Sequence, residues 1–193
     1  MANTPYEIIV SPYEVYITTV TSPTWPGPAD TPGTGEWVLM GTNGKNNMVE
    51  GGVTVEHGQT LVPVRVEGRT GPVKLVRTEE NQVVRFSLMD LSRNHFKWAL
   101  SGDDPDTISS TEHEVGLSRA EAVREVALLI KGPSPAANNK NAQYEIPRAV
   151  QSGAPRIQFA KGTPSSVNFE FVTLEDLNAA VTGERFGRFV IGS

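Results

Sequence analysis

Val167-Asn168-Phe169-Glu170-Phe171 alternates apolar and polar side chains with a period of two. Successive side chains of a strand point to opposite faces, so Val167, Phe169 and Phe171 share one side and Asn168 and Glu170 the other. A half-buried strand is the reading, and it extends outward along the chain. Tyr13-Glu14-Val15-Tyr16-Ile17-Thr18 and Val62-Pro63-Val64-Arg65-Val66-Glu67 alternate in the same way. Weaker strand candidates lie at 37–40, 53–56, 73–77, 83–88, 157–160 and 188–191, and 18 glycines and 14 prolines punctuate the segments between them. Turn-separated strands along all 193 residues predict a mainly β fold, a sandwich or barrel, in one domain with a flexible N-terminal stretch over 1–12.

Three stretches read as long loops. Residues 22–35 carry Pro23, Pro26, Pro28, Pro32 and Gly33, which rule out regular pairing and leave Trp25 as an anchor. Residues 41–52 hold Asn43-Gly44-Lys45-Asn46-Asn47-Met48, turn formers with little material for a core. Residues 133–141 contain Pro133-Ser134-Pro135 and Asn138-Asn139.

Two segments look helical. From an N-cap at Asp90 to a stop at Ser101-Gly102, Leu91 and Trp98 share a stripe with Phe96 and Leu100 beside it, which predicts one principal helix flanking the sheet. Ser118 to Ile130 opens with Ser118-x-x-Glu121, a capping-box match. Its second half is nevertheless expected to be a strand over 125–131, with Val126, Leu128 and Ile130 on one side, Ala127, Leu129 and Lys131 on the other, and an edge or inter-protomer position burying both faces.

Composition narrows the function. The absence of cysteine excludes disulfides, thiolate nucleophiles and Cys-based metal sites. No apolar run approaches the roughly 20 residues of a membrane helix. Met1 to Glu7 lacks the basic and apolar regions of a secretory signal, so synthesis in a cytosol is expected. The formal charge is −5, and residues 1–60 carry Glu7, Glu14, Asp30, Glu36, Glu50 and Glu56 against Lys45 alone. That balance argues against a dedicated nucleic-acid binder, which needs a basic face for the phosphates.

Catalytic motifs are missing. His57, His95 and His113 form no HExxH arrangement, and there is no Gly-x-Ser-x-Gly elbow or phosphate loop. Glu112-His113-Glu114 and Asp103-Asp104-Pro105-Asp106 offer ligand atoms without EF-hand spacing and read as solvated charge. His95 reads as a packing or capping residue, and Trp25, Trp37 and Trp98 as core and rim packing rather than a ligand platform. No enzyme activity, cofactor or metal is expected. One internal echo stands out: Val84-x-Phe86-x-Leu88-x-x-Leu91 and Val167-x-Phe169-x-Phe171-x-x-Leu174 share their spacing.

The order of several pieces resembles the major tail tube proteins of long-tailed, siphovirus-like bacteriophages. They are Tyr13 to Ile17, Trp37 to Thr42, Glu50 to Val55, Gly68 to Lys74, Arg77 to Glu80, Ser87 to Leu91, Ala127 to Pro133, Tyr144 to Ala149 and Phe169 to Asp176. The resemblance spans most of the chain from Tyr13 to Gly187, and departs from the family pattern at Ser118-Arg119-Ala120-Glu121. It implies a β-sandwich with one flanking helix, whose core-facing residues here would be Leu91, Phe96, Trp98 and Leu100. It further implies a structural virion protein assembling as stacked hexameric rings, a tube for genome delivery. The implied partners are other copies of the chain, with a tape-measure protein inside and terminator and baseplate proteins at the ends; DNA would pass through the lumen without specific binding. The implied ring-stacking element is a long loop between early strands, placed on 41–52 with Lys45, Asn46, Asn47, Met48 and Glu50 as its contacts. The alternative is a carbohydrate- or protein-binding β-sandwich module using Trp25, Trp37 or a loop.

Overall fold

Val84, Phe86 and Leu88 alternate with Val83, Arg85 and Ser87, and in the computed structural model the first set is buried while the second is half-exposed. The structure describes residues 13–19, 22–33, 35–90, 92–100, 106–107, 112–114, 116–117, 123–134, 140–157, 161 and 165–192. Its strands are β1 (Glu14–Thr18), β2 (Val38–Leu39), β3 (Met48–Val64), β4 (Lys74–Leu88), β5 (Asp106–Thr107), β6 (His113–Glu114), β7 (Glu125–Pro133), β8 (Asn141–Gln151), β9 (Val167–Thr173) and β10 (Arg188–Ile191). A single α-helix, α1 (Arg93–Leu100), follows β4. The chain is mainly β with one helix among the described residues, as the alternation predicts.

All pairings are antiparallel. The main sheet runs β2-β1-β7-β8-β9-β4-β3, with β10 also on β8, and β5 and β6 form a separate small ribbon. The echoed segments are neighbours: Phe86 pairs with Phe169, Val84 with Phe171 and Leu88 with Val167. Antiparallel neighbours with the same period place like residues opposite each other, so Phe86 and Phe169 stack at 5.0 Å between ring centres, 12° from parallel. These rings join Val15, Ile17, Leu128, Ile130 and Ile146 in one apolar core, closed on one side by Trp98 and Ala99 of α1.

Strand β7 is buried on both faces, but not at an edge or between protomers as its sequence suggests. It lies inside the sheet between β1 and β8. Val126, Leu128 and Ile130 face the main core, while Ala127 and Leu129 pack with Trp37, Tyr16 and Trp25 under the proline-rich segment. That segment is strapped down by backbone acceptors. Lys131 Nζ donates to the Gly27 carbonyl at 3.2 Å and to that of Asp30, Gln143 Nε2 donates to Pro26 O at 2.6 Å, and Trp37 Nε1 donates to Thr24 O at 3.1 Å. Burial pushes the Lys131 amine below its ordinary range, partly opposed by Asp30 and Glu14.

The helix begins later than expected. Ser92, not Asp90, is the cap: its carbonyl accepts from the backbone N–H of His95 and of Phe96, at 3.0 and 3.2 Å. Trp98 is buried; Phe96 and Leu100 are half-buried. Leu91 lies outside the described residues, as do Ser118 and Glu121 of the capping-box match, Asp103 and Asp104, all of 1–12, the middle of the 133–141 loop and three residues of the 157–160 candidate.

Candidate interaction surface

The expected stacking loop at 41–52 is not one open loop: 41–43 are irregular, and 49–52 lie in a break of the β3–β4 register between Met48 and Val53. Gly44–Asn47 forms a 3₁₀ turn and β3 already starts at Met48. Its composition is turn-like, yet its neighbours hold it. Asp90 accepts from the Thr42 backbone N–H at 2.7 Å and from the Thr42 hydroxyl, and from Ser92 N–H at 3.1 Å. Burial pushes the Asp90 carboxyl up, but the Thr42 hydrogen bonds, His95 and the Ser92 N–H outweigh it and leave it below the ordinary range.

His95, also buried, accepts from Gly41 N–H through Nε2 at 2.9 Å. Its proton therefore sits on Nδ1, 3.0 Å from Asp90 O and 2.9 Å from Ser92 Oγ. Gly41 has φ 90°, and a side chain there would press within 3.1 Å of Asn47 Cβ and Gly44 O. Met48 is a core residue beside Leu88, and Asn47 O accepts from Met89 N–H at 2.8 Å. Met48 is therefore unavailable to a neighbour's groove. Asn46 and Glu50 are exposed, Asn47 is half-buried, and Lys45 contributes backbone to the turn while its side chain lies outside the description.

The unpartnered surface lies further along the same strand. β3 and β4 stay paired from Val53 with Phe86 out to Val64 with Lys74, but every β4 residue before Gln82 is exposed. The outer half is a two-stranded arm standing clear of the core. Glu67 and Gly68 occupy its tip, where Arg69 N–H reaches Val66 O at 3.2 Å and Gly68 has φ 84°, the left-handed geometry that glycine permits in a tight turn. A register shift at Thr60/Leu61 marks the arm's midpoint.

Both faces of the outer arm are apolar. Pairing of Val62 with Val76 and of Val64 with Lys74 puts Val62, Val64 and Val76 on one face. Leu61, Pro63 and Leu75 occupy the other, and Leu75 is 55% exposed. Arg77 grips Gln59 and Glu80 at 3.0 Å each, which stiffens the stem. Around the tip Arg65, Arg69 and Lys74 outnumber Glu67, and none of the three has an ion-pair partner among the described residues.

Where β3, β4 and β9 are one sheet, the outward face is polar and internally paired. Arg85 donates through Nε to Glu170 at 2.7 Å and through Nη1 to Glu56, and Ser87 Oγ donates to Asn168 Oδ1 at 2.8 Å. The Arg85 hydrogen bond outweighs desolvation and holds the Glu170 carboxyl below its usual range. Arg85, Ser87, Asn168 and Glu170 line a hollow of about 400 Å³ with Glu50, Thr54 and Gly153.

Of the three tryptophans named for the binding-module alternative, Trp25 is half-buried and the other two are buried. Trp25 and Trp37 come together at 5.1 Å, but Trp37 is buried with its N–H committed, and Trp98 is buried under α1. Among the described residues no three histidine, aspartate or glutamate side chains converge as metal ligands, and no helix is long and apolar enough to cross a membrane. The sequence signal that points to the arm is the alternation at 62–67 together with the candidate at 73–77 across Gly68 and Gly71. What hides it is the polar run Glu56-His57-Gly58-Gln59-Thr60, which belongs to the stem and faces water on both sides. Comparison with protein-family models finds no match to this chain, and comparison with curated proteins finds none either.

Proposed function

We propose that the protein is a structural, self-assembling subunit, and that its assembly is the stacked-ring tail tube of a long-tailed bacteriophage. The observation that carries the self-assembly reading is the arm. Leu61, Val62, Val64, Val66, Val73, Leu75 and Val76 are all exposed on one projecting ribbon, and contiguous exposed apolar surface marks a contact surface. Each such side chain gains up to about 1.5–3 kcal/mol when fully buried, so a second copy that covers the ribbon supplies a strong drive to associate. Because both faces are apolar, the ribbon suits insertion between neighbours rather than contact on one side.

The tube reading rests on the resemblance and is supported by the polar face around Arg85. A passing polyanion is retarded by unpaired cations, since every phosphate neutralised adds affinity. Arg85 is already held by Glu56 and Glu170, so this face suits the wall of a conduit. Tape-measure, terminator and baseplate proteins are the further partners of that reading.

Sedimentation velocity and negative-stain microscopy of the purified chain test the proposal. Rings or tubes that grow with concentration are the expected result. Discrete monomers at every concentration would overturn it and turn attention to the binding-module alternative.

A further inference from the structure

The tip of the arm has a counterpart elsewhere in the fold. After β9 the chain runs through Leu174 to Gly187, held by Leu174 N–H on Arg148 O at 2.9 Å and Asp176 N–H on Arg185 O at 2.8 Å. This segment exposes Leu177, 70% accessible, and Val181, and it borders a hollow of about 180 Å³ walled by Trp25, Pro147, Ala179 and Ala180. Its bases are already committed: Arg185 Nη1 lies 2.6 Å from Glu175, and Arg188 Nε lies 2.6 Å from the buried Glu145. Asp176 and Glu184 are left in surplus, Glu184 only 3.9 Å from the other end of Arg188. The pad is therefore apolar with an acidic surplus, whereas the arm tip is apolar with a basic surplus at Arg65, Arg69 and Lys74.

A protomer's own tip is far from its own pad. Thr173 at the end of β9 sits beside Gln82, its hydroxyl donating to Gln82 O at 3.2 Å. From Gln82 to Lys74 the strand runs outward by eight residues, about 27 Å at strand rise. The pad and the root of the arm also lie at the same end of the sheet, since β8 residues 145–147 continue beyond the pairing of Ala149 with Thr173.

On the assembly reading given above, we infer that the arm tip of one copy docks on the 174–187 pad of a second copy. Arg69 and Lys74 meet Asp176 and Glu184, and the tip valines cover Leu177 and Val181. The two surfaces differ, so the contact is heterologous and closes a ring when its rotation permits. Electrostatic complementarity fixes the partner and the register.

Charge exchange tests this by sedimentation velocity and microscopy, with wild type run alongside. Arg69→Glu/Lys74→Glu and Asp176→Lys/Glu184→Lys are both expected to remain monomeric at concentrations where wild type assembles; the exposed arm pair should melt close to wild type, and the pad pair lower, because Asp176 accepts from the Asn178 N–H at 3.0 Å and Glu184 lies 3.9 Å from Arg188. Mixing the two variants, or combining the four changes in one chain, is expected to restore assembly, since each reversed surface again meets its opposite. Assembly by either pair variant alone, or failure of both rescues while wild type assembles, would overturn the docking inference and leave the assembly reading standing. A wild-type chain that never assembles would overturn the assembly reading itself, and the docking inference with it.

Discussion

The inner and outer halves of the β3–β4 ribbon are the same two strands under opposite conditions. Inside, Val84 and Leu88 are fully buried, and Phe86 stacks on Phe169 in the protomer's own core. Outside, beyond the register shift at Thr60/Leu61, side chains of the same chemistry are uncovered on both faces. Backbone pairing continues across the boundary, so hydrogen bonding alone does not distinguish the halves. What changes is whether the apolar faces have a partner within the chain. The inner half is built for folding, and on the proposal made above the outer half is built for association.

Substitutions separate the two most sharply in the core. Phe169→Ala and Trp98→Ala should each lower stability by about 3–5 kcal/mol through lost burial and a cavity, read as a large drop in melting temperature. Leu75→Ala on the arm should change monomer stability by no more than about 0.5 kcal/mol while weakening assembly. A Leu75→Ala chain that melts far below wild type as a monomer would erase the distinction.

The 41–48 clasp ranks next. Asp90→Ala removes the acceptor for the Thr42 N–H, the Thr42 hydroxyl and the Ser92 N–H, and should cost about 1–3 kcal/mol. Chemical denaturation at neutral pH measures it. Unchanged stability would return this segment to the mobile role that its composition suggests.

Acid should have the smallest effect. Hydrogen bonding by Arg148 holds Glu125 below its usual range, and Arg85 does the same for Glu170. Carboxyls depressed in the folded state contribute fully above their unfolded values and lose that contribution as pH falls through the folded ones. The melting temperature should therefore hold from pH 7 to about pH 5 and fall below about pH 4, with the exposed Arg148–Glu125 pair giving less than about 1 kcal/mol. A rise on acidification would contradict the pairing. At the alkaline end, burial and the hydrogen bond to Glu14 push the Tyr16 hydroxyl up to about 12, so its ultraviolet titration should lag that of an exposed tyrosine.

Strands with one wet and one dry face were legible, as at Glu14–Thr18 and Val167–Thr173, because period-two alternation records one-sided burial directly. β7 was readable despite its helical propensity because Gly132-Pro133 and the β-branched residues outweighed it, but its interior place was not, since burial on both faces leaves no mark of which elements supply it. Two places misled for opposite reasons. Asn43 to Met48 looks like a loop because its partners, Asp90 and His95, are some fifty residues away in sequence. The stem from Glu56 to Thr60 lacks alternation because nothing in the protomer covers it, so one seventeen-residue strand reads as two short ones.

Replacing Leu61 to Thr78 by Asn-Gly removes the outer arm alone, because Thr60 and Glu79 are paired and a two-residue turn closes that ladder without touching the core. Sedimentation velocity across a concentration series is the readout, with near-ultraviolet circular dichroism reporting the buried aromatics. The expected result is a folded chain with wild-type aromatic signals that stays monomeric at every concentration where wild type assembles. Assembly of the armless chain at wild-type concentrations would contradict it.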